Sequence, residues 1–356
     1  MSNMRRRLSI AYAVICTILL TAGCILAFGF AWNAGVAAIV SCIVGLVASF
    51  ILAPTLHELG HVVFAQIAKM DYVYVKFFCF KISIKKGKKR LSFASPFAPE
   101  QTQVLPKTGG DMVKRAALYT LGGLVFGGVF FWVIMAAAII TTCVGKANYL
   151  LWGAVPYATY LFFLNLPPLE YASGKTDTLV YKGIKTGADA EKNMLSAMEI
   201  QGQLYEGKSF CEIDERFYFD LPQLCEDEPL FAVMLDLRYR YYLEKGEMEK
   251  AKDCLNRLAS VQEYLLDKEV EKLAAELTYM HAVCGDIEGA EENGKYCKAY
   301  LRGDEGAAKR VLAAFSKACG NTEAVELLVA QAREALQTER IAGVRKFEEI
   351  LLSRII

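Results

Sequence analysis

The sequence predicts a mainly α protein in two parts: a polytopic membrane helical bundle of about four spans with a small cytoplasmic β-hairpin, and a C-terminal α-helical repeat-like domain. Three observations carry that expectation. The 356 residues are 54% hydrophobic with a mean hydropathy of +0.26, too apolar for an ordinary soluble chain and too charged for a bundle of spans alone. The long apolar stretches all precede residue 170. Beyond residue 187 the charged residues crowd in and apolar positions recur at helical spacing, which divides the chain into 1–186 and 187–356. A formal net charge of +1 leaves no basic footprint for nucleic acid, so no nucleic-acid partner is expected. Eleven cysteines without CxxC spacing read as buried or idle thiols in a reducing compartment.

The elements follow in order. Arg5, Arg6 and Arg7 precede an apolar run over 8–30 that is long enough to cross a bilayer and lacks a small-x-small cleavage site, so it reads as a retained first span. The three arginines then hold the amino terminus in the cytoplasm. Trp32 suits the interface of a short outer loop, and a second span over 36–69 returns the chain inward.

That second span contains His57-Glu58-Leu59-Gly60-His61. Two histidines four positions apart on a helix leave from one face and can share a single Zn²⁺ through neutral imidazoles. Glu58 lies about 100° around the helix from His57, free to take a proton from a metal-bound water. Ionisable groups among apolar neighbours cost several kcal/mol unless paired or metal-bound, and two of the chain's three histidines sit here.

Residues 72–95 read as a β-hairpin: an aromatic and β-branched strand over 72–84, a lysine-rich turn with Gly87 at its tip, and a return strand over 91–94. Its lysines place it in the cytoplasm. Lys114 and Arg115 anchor the inner end of a third span over 116–142, whose Gly122, Gly123, Gly127 and Gly128 read as packing positions. A fourth span over 149–166 brings the chain back inside, leaving both termini cytoplasmic. It runs into Asn165-Leu-Pro-Pro-Leu-Glu170, with Asp177 just beyond. A catalytic zinc site takes three protein ligands and keeps one position open, and Glu170 and Asp177 are the carboxylates this segment offers as the third. His281 lies far along in the second part.

HELGH on an apolar helix, followed by a later span ending in Asn-Leu-Pro-Pro and an Asp, resembles the site-2 protease family of intramembrane zinc metalloproteases over residues 8–186. The resemblance implies that His57 and His61 ligate one zinc ion, that Glu58 is the catalytic base and that Asn165 helps orient substrate. It favours Asp177 over Glu170 as third ligand, because Asp is the family's ligand. The chain departs from the family in lacking a glycine after Asp177 and in carrying Gly122-Gly123 where Gly-Pro is common. The implied activity is hydrolysis of a peptide bond in a transmembrane or membrane-anchored protein or peptide: a regulator, a signal-peptide remnant or a precursor. A strand edge of the hairpin could hold that substrate extended. The short loops and modest basic bias fit a bacterial cell membrane. The alternative is a catalytically silent scaffold of the same family that recruits partners.

In the second part, helices are expected over 194–202, 229–245, 248–260, 262–284 and 288–302, with breaks at Gly246, Gly285, Gly303 and Gly320. Helix, Gly turn and helix, as in Tyr242-Leu-Glu-Lys-Gly-Glu-Met-Glu-Lys-Ala251, resembles tetratricopeptide-like hairpins. A protein partner is the implied ligand.

Overall fold

Hydropathy decides most of the first half. A computed structural model describes residues 3–85, 88–95 and 101–356, and the chain divides into one unit of 1–105 with 111–188 and a second of 106–110 with 189–356. The fold is mainly helical with a small antiparallel sheet.

In the first unit, α1 (Asn3–Trp32), α2 (Val36–Ile67) and α3 (Met112–Cys143) are each long and apolar enough to cross a bilayer. Their apolar side chains turn outward as well as inward: Ile18, Ile25 and Leu26 on α1, Val40 and Val47 on α2, and Val129, Trp132 and Ile140 on α3 are all exposed. An apolar exterior of that extent suits lipid rather than water. The helix α4 (Tyr149–Asn165) has 17 residues and falls outside that group of three, so the fourth predicted crossing is the shortest.

Close packing comes from glycine where backbones meet. A Cβ on Gly60 of α2 would stand 2.2 Å from the carbonyl oxygen of Gly122 on α3, and one on Gly122 would stand 2.4 Å from that of Gly60. Only the pair of glycines permits that approach. Pro54 lies within α2, three residues before His57, and removes one amide donor from its ladder.

Between α2 and α3 the chain forms β1 (Met70–Phe77), β2 (Phe80–Lys85), β3 (Lys88–Phe93) and β4 (Gln101–Pro106), ordered β3-β2-β1-β4. The expected single strand over 72–84 is therefore itself a hairpin, folding back at Phe78-Cys79 with Phe77 opposite Phe80. Phe78 adopts φ +47°, a conformation bulky residues rarely take, so no Gly, Asn or Asp marks the turn. The return strand is present as β3, with Ile82 opposite Leu91. The tip expected at Gly87 lies outside the described residues. After α4, the two-residue strands β5 (Glu170–Tyr171) and β6 (Gly174–Lys175) pair with each other, and α5 (Asp177–Thr186) follows.

The second unit is helical among its described residues: α6 (Asp189–Tyr205), α7 (Arg216–Phe219), α8 (Pro229–Lys245), α9 (Met248–Ser260), α10 (Asp267–Val283), α11 (Ile287–Gly294), α12 (Lys298–Leu301), α13 (Gly306–Ala318), α14 (Thr322–Leu336) and α15 (Ala342–Ile355). Gly246, Gly285 and Gly320, at φ +82°, +78° and +76°, close α8, α10 and α13 in the left-handed conformation that ends a helix. Each helix then turns back as α9, α11 or α14, the last two capped by Asp286 and Asn321 side chains. The helix expected over 262–284 starts only at Asp267, because a 3₁₀ turn over Gln262–Tyr264 intervenes. The one expected over 288–302 breaks between Gly294 and Lys298.

Apolar side chains of these helices form one core, and Arg310 lies within it, fully buried. Its Nη2 donates to Glu276 Oε1 at 2.6 Å and its Nε to Glu348 Oε2 at 2.8 Å, while Tyr239 Oη donates to Glu276 Oε2 at 2.7 Å. Burial pushes the Glu276 carboxyl up, yet Arg310 and Arg240 more than offset it and hold the group low. Burial prevails at Glu348, whose carboxyl is raised. Arg310→Met would strip both carboxylates of the cation that hydrogen-bonds them, at a cost of about 3–5 kcal/mol. Hydrogen exchange on the full chain should show α10, α13 and α15 losing protection, and adding Glu276→Leu and Glu348→Leu should restore most of it; unchanged protection in the single variant would contradict the assignment.

Candidate metal centre

Three ligand atoms converge in the first unit. His57 and His61 stand one turn apart on α2, ring centroids 5.0 Å from each other, and Asp177 opens α5. Asp177 Oδ2 lies 3.1 Å from His57 Nε2 and 3.3 Å from His61 Nε2.

Proton placement shows what this contact means. His61 Nδ1 lies 3.1 Å from the carbonyl oxygen of Tyr119, which only accepts, so Nδ1 carries the proton of a neutral His61. Its Nε2 then presents a lone pair to the carboxylate. Asp177 Oδ2 is buried and has no hydrogen-bond partner among the described residues. Facing lone pairs at this separation are joined by a cation, either a proton on Nε2 or a metal ion. Bonds of about 2.0–2.1 Å at the tetrahedral angle set ligand atoms roughly 3.3 Å apart, so the observed edges fit one ion. The His57, His61 and Asp177 group could hold a metal ion.

Asp177 is held by its surroundings. Thr176 caps α5, accepting from Leu179 N at 3.3 Å, and its hydroxyl donates to the Pro167 carbonyl at 2.8 Å. Leu169 and Thr176 are also joined through their backbones, so the broken Pro167-Pro168 turn fixes where Asp177 begins. Thr178 Oγ1 donates to the carbonyl of Asn165 at 3.1 Å. Glu170 sits instead on β5, opposite Lys175, and is not part of the converging group.

Glu58 is buried beside the ligands, and its Oε2 accepts from Thr102 Oγ1 of β4 at 2.5 Å. Asn165, the last residue of α4, lines a cavity of about 10 Å³ with His57, Gly123 and Leu161, room for one water. Its Nδ2 donates to the Leu161 carbonyl at 3.2 Å.

Sequence reasoning passed over four residues here. Gly123 is the most consequential: a Cβ there would stand 2.5 Å from His61 Nε2 and 2.6 Å from His57 Nε2. The Gly122-Gly123 pair was visible as packing, but nothing in it announced that one member faces imidazoles. Thr176 before Asp177 carried a readable cap signal. Tyr119 and Thr102 act through tertiary contacts and left none.

The fold and site thus define a mainly helical protein with, among the described residues, three apolar helices of bilayer-crossing length and a His-His-Asp group able to hold a metal ion. Compared with protein-family models, curated proteins and solved structures, the chain matches none.

Proposed function

We propose that the chain is an intramembrane zinc metalloendopeptidase of the site-2 protease type, acting on a transmembrane or membrane-anchored protein or peptide. The observation that carries this reading is the convergence of His57 Nε2, His61 Nε2 and Asp177 Oδ2 next to buried Glu58 among apolar helices. Two imidazole nitrogens and one carboxylate oxygen are a donor set that suits zinc and leave a fourth tetrahedral position for water. When bound, zinc would polarise the scissile carbonyl and lower the pKa of its water. Glu58 takes the proton of the attacking water and passes it to the leaving amine. Asn165 borders the cavity beside His57, and in this reading its amide would orient a substrate carbonyl.

The same proposal gives the chain four crossings in a bacterial cell membrane with both termini cytoplasmic. A 17-residue α4 spans about 25 Å, at the lower limit for a crossing helix. The helix–Gly–helix pairs of the second unit form a tetratricopeptide-like array that binds a protein partner.

Metal removal tests the reading. Purified chain in detergent should contain one zinc, lose cleavage of a transmembrane-peptide panel on treatment with a chelator and regain it with zinc alone, while His57→Ala and Asp177→Ala should lose both metal and cleavage. A zinc-loaded chain that cleaves none of the panel, in detergent and in liposomes alike, would favour the silent scaffold.

A further inference from the structure

Glu58 is buried, yet one of its oxygens is already engaged by a residue from a distant strand. Thr102 Oγ1 donates to Glu58 Oε2 at 2.5 Å, at the short end for a hydroxyl on a carboxylate. Thr102 is itself buried and sits on β4, an edge strand of the four-stranded sheet. Its carbonyl accepts from Tyr119 Oη at 2.8 Å, and the Tyr119 carbonyl in turn holds His61 Nδ1 at 3.1 Å. The neighbouring Gln101 Oε1 accepts from Tyr74 Oη of β1 at 2.7 Å, which ties the start of β4 to the sheet. A closed path of hydrogen bonds therefore runs from a metal ligand through Tyr119 and Thr102 to the base one turn away on the same helix.

We propose that Thr102 is a positioning residue for Glu58: its hydroxyl occupies Oε2 and fixes the carboxylate plane, so that Oε1 alone faces the attacking water. The proposal rests on the peptidase reading given above. The terminal torsion of a glutamate is broad and roughly two-fold, so an unheld carboxylate would rotate between productive and unproductive orientations. A carboxylate has no donor of its own, so a hydroxyl is the group that can clamp one oxygen without adding charge to the site. Threonine adds a stiff χ1, which a serine supplies less firmly. Tyr119 gives the clamp its reference point, because one residue sets both the ring of His61 and the backbone of Thr102.

The test uses the full chain loaded with zinc for kinetics and with cobalt(II) for visible spectra. Thr102→Val should keep one metal per chain and leave KM within about twofold, while kcat falls roughly 10- to 100-fold, the scale on which a misplaced catalytic group acts. Thr102→Ser should stay within about threefold of the parent, since it restores the donor. The cobalt d–d bands should move in the same direction in Thr102→Val and Glu58→Gln and remain in place in Thr102→Ser. Thr102→Ala serves where valine prevents folding. Parental kcat and spectrum in the valine and alanine variants would overturn the proposal, as would equal losses in valine and serine, or loss of metal. If Glu58→Gln itself leaves cleavage unchanged, the peptidase reading has failed; the cobalt spectra then decide the Thr102–Glu58 coupling by themselves, and an unmoved spectrum in Thr102→Val overturns it.

Discussion

Glu58→Gln is expected to retain one zinc per chain while peptide cleavage falls by about 1000-fold or more, within the range that general acid–base groups supply. The substitution preserves shape and removes the basic oxygen. Glu58 is outside the converging ligand group, so its charge is not needed to hold the ion. The amide can still accept from Thr102 Oγ1 through its oxygen, so the buried hydroxyl keeps a partner. Metal content and folding should thus be those of the parent, and the whole effect should fall on the chemical step. A Glu58→Gln chain that cleaves at the parental rate would remove Glu58 from the mechanism; one that loses zinc would make Glu58 a ligand.

The reason this experiment could be framed from the sequence is that HELGH is local. Helical periodicity alone sets His57 and His61 on one face, and the apolar flanks alone make their ionisable groups conspicuous. The third ligand is different in kind. Asp177 reaches the imidazoles only because α4 ends at Asn165, the Pro167-Pro168 turn redirects the chain and Thr176 caps the next helix. No periodicity encodes that sum of bends, which is why the residues alone offered both Glu170 and Asp177 and only the family resemblance favoured Asp177, the carboxylate that converges with the two imidazoles. The sheet was less legible still. A strand of aromatic and β-branched residues gives no sign of a fold at Phe78-Cys79, where tertiary context imposes a left-handed phenylalanine. The strand β4, with Gln101 and Thr102 at its start, has no alternation strong enough to be read, and it carries the hydroxyl that donates to Glu58. In the second unit the Gly turns were readable because a left-handed cap demands glycine, whereas the buried Arg310 resembled any surface arginine on a helix.

Gly123→Ala is the second large effect expected, and Gly127→Ala, one turn further along the same helix, is its control. A methyl at 123 would fall 2.5–2.6 Å from both converging imidazole nitrogens, inside any tolerable contact, and it would project into the space a metal ion held there would need. Relief requires α3 to withdraw from α2, but Gly60 and Gly122 pack backbone on backbone one residue away and resist that shift. The imidazoles must therefore turn, and turning His61 also gives up its bond to the Tyr119 carbonyl. Loss of such an outer hydrogen bond by itself costs about 10- to 100-fold in metal affinity. With both nitrogens displaced, the expected loss is about 1000-fold or more, roughly 4 kcal/mol. At Gly127 the added methyl would meet His57 Nδ1 at 3.7 Å, ordinary contact on the side away from the ion, so zinc affinity should change by less than about twofold. Competitive zinc titration of the two variants against the parent measures the contrast. Equal affinities for all three would mean that the helices separate more easily than their glycine contact implies, and that Gly123 serves packing alone.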